Sequence, residues 1–165
     1  MNYKNYEYLD AEEKKKFLKS LDIFEGLSDE EISLILPICR NIKFKEGEKI
    51  IEDKSLGDDL FIILEGEVAI ELEAITPHFE ITIARLSSGE LLGEFAMIDS
   101  APRSARAKCI TPAECIVISG LKLREILDND HKIGYIVMSN IAKILSDKIR
   151  KTNRRLLNFV RKKLF

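Results

Sequence analysis

A change in hydrophobic periodicity constrains the fold of this chain more than any other feature. Between about residues 42 and 119 apolar and polar residues alternate, whereas helical spacing is found on either side. Residues 67–73 and 79–86 alternate as half-buried strands do, and residues 59–64 form a nearly continuous apolar run that predicts a more deeply buried strand. Glycine followed by an acidic residue punctuates these strands at Gly47, Gly57, Gly66 and Gly89. Short strands joined by glycine turns at this spacing favour an antiparallel barrel or jelly roll.

Helical patterns flank the strands. Ser28 with Glu31 three residues later forms a capping box, which predicts a helix start, and Pro37 should end that helix. After Gly120 the apolar spacing returns to i, i+3, i+4, and it predicts a short helix over 121–129 and one long helix over 132–163. The fold class we expect is α+β, mainly β, with an antiparallel jelly-roll β-barrel, N-terminal helices and a long C-terminal helix.

The same patterns divide the chain. We expect a single domain over 1–149 and a basic helical tail over 150–165. Within the domain, the expected parts are a helical entry over 8–40, the β-barrel over 42–119 and C-terminal helices over 121–149.

The charge distribution bears on the partners. Seven of the 26 lysines and arginines, and none of the 28 acidic residues, lie in 150–165. An acidic body does not suit a domain that wraps DNA. The basic tail is amphipathic and suits a protein partner, the seam of a homodimer or an anionic membrane surface, although it can also be a solvated helix end.

No pattern points to catalysis or to a metal. The three cysteines, Cys39, Cys109 and Cys115, are odd in number and lack CxxC spacing, and with His78 and His131 they make a poor metal or disulfide framework. We interpret them as buried thiols. The nucleotide, phosphate and hydrolase motifs G-x-G-x-x-G, P-loop, G-x-S-x-G and H-E-x-x-H are absent from the sequence, so we do not expect an enzyme.

A cytoplasmic location is expected. The N-terminus has no apolar stretch of the kind found in secretory signals, and no apolar run approaches the ~18 residues that span a bilayer.

Residues 91–105 depart from plain strand or helix patterns and carry the chemistry. Gly93 allows the backbone to approach a ligand closely. Glu94 offers an acceptor for a hydroxyl, and residues 94–98 can form one helical turn whose free N–H groups face an anion. Arg103 offers a planar fork that suits two phosphate oxygens. These groups fit a small phosphate ester that bears a ribose hydroxyl.

This stretch resembles the phosphate-binding cassette of cyclic nucleotide-binding domains, the family of the cAMP receptor protein and the protein kinase A regulatory subunit. Gly93, Glu94 and Ala96 match the first part of the cassette, and 102–105, Pro-Arg-Ser-Ala, match the second. Met97 replaces the common leucine, and Leu92 replaces the common phenylalanine. The resemblance extends over about 21–145, since 23–28, 44–51 and 57–68 are similar to the family's entry segment, first hairpin and following strands.

The resemblance implies a regulatory module that binds cAMP or cGMP and passes the signal through its C-terminal helix. It implies that Glu94 binds the ribose 2′-hydroxyl and that Arg103 pairs with the cyclic phosphate. Ser104 would bind the phosphate or the base, and part of the C-terminal helix would close over the base. The site residues we expect are Leu92, Gly93, Glu94, Phe95, Ala96, Arg103, Ser104 and Ala105.

The sequence is compatible with alternatives. Glu94 and Arg103 can instead form a surface salt bridge in a loop, and the protein can be a scaffold on the same barrel with a degenerate pocket, because Leu92 departs from the pattern. Transcription factors of this family add a helix-turn-helix domain, whereas this chain ends at Phe165, so we expect no DNA-binding domain. The base preference and the downstream partner are left open.

Overall fold

The computed structural model describes residues 10–73 and 80–164, with side chains described as far as Arg161. Within these ranges, eight strands form two antiparallel four-stranded sheets, and the order is β1-β8-β3-β6 in one and β2-β7-β4-β5 in the other. The strands are β1 (Cys39–Phe44), β2 (Lys49–Ile51), β3 (Leu60–Glu65), β4 (Val68–Glu73), β5 (Glu80–Leu86), β6 (Leu91–Leu92), β7 (Arg106–Cys109) and β8 (Ala113–Ile118).

Five α-helices of the described residues accompany the sheets: α1 (Ala11–Lys19), α2 (Asp29–Ile35), α3 (Phe95–Asp99), α4 (Gly120–Asn129) and α5 (His131–Leu164). The predicted capping box is present, because the Ser28 side chain accepts from the Glu31 amide and the Glu31 side chain accepts from the Ser28 amide. After α2 the chain tightens into a 3-10 turn at Leu36–Ile38, which contains Pro37. A proline lacks the amide that would continue the α-helix.

β3 is apolar over 60–64 because both of its faces are buried there. Leu60, Ile62 and Leu64 pack with the helices, whereas Phe61 and Ile63 point into the barrel. Successive side chains of a strand point to opposite faces, so a strand covered on both sides is apolar throughout. The helices before and after the barrel share one core, since α1, α2, α4 and α5 all contribute to the first of these two clusters.

The predicted antiparallel jelly roll with N-terminal helices and a long C-terminal helix is confirmed. Helical residues outnumber strand residues in the described chain, chiefly because α5 alone has 34 residues. This helix continues without a break past residue 149. The division into a domain over 1–149 and a tail over 150–165 stays a prediction.

Two of the three thiols are buried as expected, namely Cys109 and Cys115, whereas Cys39 is partly exposed. Burial raises the pKa of Cys39 and Cys115 to about 12 and that of Cys109 to about 11. His78 lies outside the described residues. Within the described ranges, none of the helices combines the length and the hydrophobicity that a membrane crossing requires.

Candidate functional site

A cavity of about 610 Å³ lies between the second sheet, the segment 91–105 and α5. All eight residues predicted for the site line this cavity: Leu92, Gly93, Glu94, Phe95, Ala96, Arg103, Ser104 and Ala105. The structure therefore brings the two parts of the segment together on one wall, although six residues lie between Ala96 and Arg103.

A turn at Gly93 sets the shape of this wall. Gly93 has φ +89°, in the left-handed region, and a Cβ at this position would lie 2.6 Å from the Asp59 carbonyl oxygen and 2.7 Å from Arg103 Nη1. Both the conformation and the close approach require glycine. The turn leads from β6 into the single turn of α3, as predicted for 94–98.

Arg103 is held by backbone carbonyls rather than by a carboxylate. Its side chain is 9% exposed, and it donates from Nη1 to the Gly93 oxygen (3.0 Å) and from Nη2 to the Asp59 oxygen (2.7 Å). Burial lowers the pKa of Arg103 from its ordinary value, while the charges of Asp59, Asp58 and Glu94 oppose that shift. A guanidinium has five donors, so these bonds orient it and leave donors for a ligand.

Glu94 is buried and is bound to the last helix. Its side chain is 2% exposed, and its Oε1 accepts from Lys148 Nζ at 2.6 Å. The same ammonium group donates to the Leu91 carbonyl oxygen at 2.7 Å. The Glu94–Arg103 surface salt bridge that we considered from the sequence is therefore not formed, because each of the two side chains is buried with a different partner.

One face of α5 forms the roof of the cavity. The residues on this face recur at intervals of three and four: Asn140, Lys143, Ile144, Asp147, Lys148, Lys151, Thr152 and Arg155. Asn140 is 4% exposed and fixes the helix by donating to the Ile23 and Glu25 carbonyl oxygens. Further along, Arg155 Nη1 donates to the Ile83 oxygen of β5 at 2.6 Å. The roof thus reaches across the cavity from the entry segment to the far edge of the second sheet.

Arg124 connects α4 to α3. Its Nη1 donates to the Ala96 oxygen at 3.1 Å, and its Nη2 pairs with Asp58 at 2.9 Å. Cations stabilise the carbonyl end of a helix. The short helix that carries Phe95 and Ala96 is therefore attached to the C-terminal helices as well as to the barrel.

The sequence did not single out Lys148, Arg155 or Arg124. Each lies in an amphipathic helix, where a basic residue on the polar side carries no local signal of a partner. Their partners are far away in sequence, as the separation of 54 positions from Glu94 to Lys148 illustrates. Over the described ranges, no group of three or more His, Cys, Asp or Glu side chains is arranged to hold a metal ion.

Comparison with known proteins identifies the family to which the chain is similar. The family model described as the cyclic nucleotide-binding domain matches residues 41–130, which is more than half of the chain. A solved cyclic nucleotide-binding domain from Methylobacillus flagellatus KT is 28% identical, with a TM-score of 0.77, and the match covers 87% of this chain and 84% of that one.

Two further solved structures are similar. The catabolite activator protein of Thermus thermophilus is 25% identical with a TM-score of 0.70, and the match covers 84% of this chain and 63% of that one. The regulatory domain of Toxoplasma gondii PKA, solved with cAMP, is 22% identical with a TM-score of 0.68. That match covers 86% of this chain and 50% of that one, and it supports the fold alone.

Proposed function

The chain belongs to the cyclic nucleotide-binding domain family, and we propose that it is a non-catalytic cytoplasmic regulatory module that binds cAMP or cGMP in the cavity under α5. The observation that carries the proposal is the convergence of Gly93, Glu94 and Arg103 on one cavity wall. The volume of about 610 Å³ is within the range of roughly 300–1,000 Å³ that is common for small-molecule sites.

Arg103 supplies the phosphate end of the proposed site. It is oriented by two backbone carbonyls, and no carboxylate of the described residues is bonded to it. A buried cation in this state favours an anion, and a guanidinium can donate to two phosphate oxygens at once. The amides of Phe95 and Ala96 at the start of α3 have no intrahelical acceptor and would face the same phosphate, together with Ser104 and the Ala105 amide.

Glu94 supplies the ribose end. A carboxylate is an acceptor-only group, so it suits a sugar hydroxyl that donates. The base would lie between the apolar residues that line the cavity on the sheet side, Ile51, Ile70 and Ile83, and the roof residue Ile144. Aliphatic contacts of this kind accept either purine, so we propose cAMP or cGMP without choosing between them.

We propose that α5 transmits the signal. It touches the cavity along one face, and a ligand shifts the position of a helix only by favouring one packing over another. A second, outward face of α5 carries the exposed residues Tyr135, Met138, Ala142, Ile149 and Leu156, which follow one another at intervals of three, four, seven and seven residues. Tyr135, Ile149 and Leu156 are 77%, 61% and 61% exposed. A heptad seam of this kind is typical of helix pairing. We therefore propose that the partner is a second copy of this chain, which pairs through α5 to form a homodimer.

Thermal unfolding with cAMP, cGMP and non-cyclic 5′-AMP tests the proposal. At a ligand concentration of about 100 Kd, binding stabilises the folded state by about 2.7 kcal/mol. For a chain of this size that corresponds to a rise in Tm of roughly 5–10 °C. We expect the rise with at least one cyclic nucleotide and a smaller one with 5′-AMP, whose phosphate is open. A Tm that neither cyclic nucleotide changes at millimolar concentration would favour a scaffold with a degenerate pocket.

A further inference from the structure

We propose that Lys148 is a positioning residue for ribose recognition, so that this protein distinguishes ribose from deoxyribose only when α5 is in place. The inference rests on the proposed function and deepens it, because it assigns sugar discrimination to a contact between the cavity wall and the roof. Lys148 does not itself need to touch the nucleotide for this role.

The ammonium group of Lys148 is fixed by two acceptors. It lies 2.6 Å from Glu94 Oε1 and 2.7 Å from the Leu91 carbonyl oxygen. Leu91 belongs to β6, which pairs with β3 in the first sheet, so one of the two acceptors is part of the barrel backbone. The lysine therefore links the Glu94 carboxylate to the backbone of β6. The position of that backbone does not depend on the rotamer of Glu94.

The burial of Glu94 makes this anchor necessary. A carboxylate that is 2% exposed has lost most of its hydration, and an isolated charge in such a place is strongly unfavourable unless it is paired and hydrogen-bonded. Lys148 is the only charged side chain bonded to Glu94 in the described part of the chain. The guanidinium of Arg103 is bonded to the carbonyls of Gly93 and Asp59 and not to Glu94.

Lys148 leaves room for a ligand on the same carboxylate. It occupies Oε1, and among the described residues no donor is bonded to Oε2. Glu94 lines the cavity, so a sugar hydroxyl can donate to Oε2 while Oε1 stays with the lysine. The lysine and the hydroxyl therefore act together on one carboxylate rather than compete for it.

The contact between Lys148 and Glu94 affects recognition of the ribose but not recognition of the phosphate. The basic side chains of the roof bond to Glu94, Leu91 and Ile83 on the cavity wall, whereas Arg103 is oriented from the wall itself. Loss of Lys148 should therefore weaken the part of the affinity that depends on the 2′-hydroxyl and leave the phosphate contact in place. A general loss of stability would weaken the binding of both sugars equally.

The experiment is a set of calorimetric titrations with cAMP and 2′-deoxy-cAMP, repeated with the cGMP pair if cGMP is the tighter ligand. For the wild type we expect the ribo form to bind at least about fivefold tighter, since an unpaired buried acceptor costs ~1 kcal/mol or more. In Lys148→Met this ratio should fall below about twofold, because the ribo form alone loses affinity. Lys148→Gln, which keeps a polar head, is the second variant if the methionine variant does not fold.

Lys132→Met is the matched control. Lys132 lies on the same helix and also pairs with a glutamate, Glu31 at 2.8 Å, but it does not line the cavity. This variant should keep the wild-type ratio. The double variant of Glu94→Gln and Lys148→Met should have the same ratio as Glu94→Gln alone, because the lysine acts through the carboxylate.

The outcomes are distinguishable. A wild type that binds neither sugar form overturns the proposed function and this inference with it. A wild type that discriminates, beside a folded Lys148→Met that keeps the full ratio, overturns the inference and leaves the proposed function intact. Losses of discrimination that simply add in the double variant also overturn it.

Discussion

Substitution of Arg103 by alanine should weaken nucleotide binding more than it lowers the free energy of unfolding. The side chain is 9% exposed and donates two hydrogen bonds, to the Gly93 and Asp59 oxygens. In the alanine variant both carbonyls lose their donor, although water in the cavity can replace it. We expect the free energy of unfolding to fall by about 1–3 kcal/mol, the cost of leaving a buried polar group unpaired.

The loss of binding should be larger than the loss of stability. Removal of one partner of a buried charged pair costs about 2–5 kcal/mol. At 1.4 kcal/mol for each factor of ten, the affinity for cAMP or cGMP should fall by roughly 30- to 4,000-fold. Arg103→Lys should recover only part of this, because an ammonium cannot hold two carbonyls and two phosphate oxygens in one plane.

Calorimetric titration of each variant with cAMP and cGMP measures this effect, and circular dichroism checks the fold. Arg40→Ala is the control, since Arg40 pairs with the Asp59 carboxylate at 2.7 Å but its side chain is 64% exposed. Such a surface pair contributes about 0–1 kcal/mol, and this variant should bind as the wild type does. An unchanged Kd in a folded Arg103→Ala would refute the assignment of the phosphate to Arg103.

Three further predictions concern the turn, the helix seam and the thiols. Gly93→Ala should lower the Tm and weaken nucleotide binding in a titration, because its Cβ would lie 2.6 Å from the Asp59 oxygen; wild-type behaviour in both would contradict the geometry of the turn. Leu156→Glu should shift a dimeric wild type to monomer in light scattering, and an unchanged mass would exclude α5 as the seam. Burial raises the pKa of Cys109 to about 11 and that of Cys115 to about 12, so both thiols remain protonated at pH 8. They should react with a disulfide reagent far more slowly in the folded protein than in denaturant. Equal rates would contradict their burial.

Much of the fold could be predicted because its signals are local. The capping box at Ser28 and the apolar run of β3 depend on neighbouring residues and on the alternation of a strand. The residues of 91–105 could be placed in one site because a turn at a glycine, an acid and a later arginine form a recognisable order. The structure adds that they line one cavity and that Arg103 is held by carbonyls.

The remaining part depends on contacts between distant segments. An amphipathic pattern places Lys148 on α5 but does not show which carboxylate it meets. The same holds for Arg124, whose bonds to the Ala96 oxygen and to Asp58 join three separate segments. Nor did the basic composition of 150–165 indicate that Arg155 would bond to the Ile83 oxygen and help to roof the cavity.

Amide hydrogen exchange of the wild-type protein, with and without a saturating cyclic nucleotide, tests the central claim most directly. The claim is that the nucleotide lies between the segment 91–105 and the face of α5 that roofs the cavity. We predict slower exchange with nucleotide in two separate regions, residues 93–105 and residues 131–155, since both enclose the same ligand. Slower exchange in 93–105 alone would contradict the role of α5, and an exchange pattern that neither cAMP nor cGMP changes would contradict the claim as a whole.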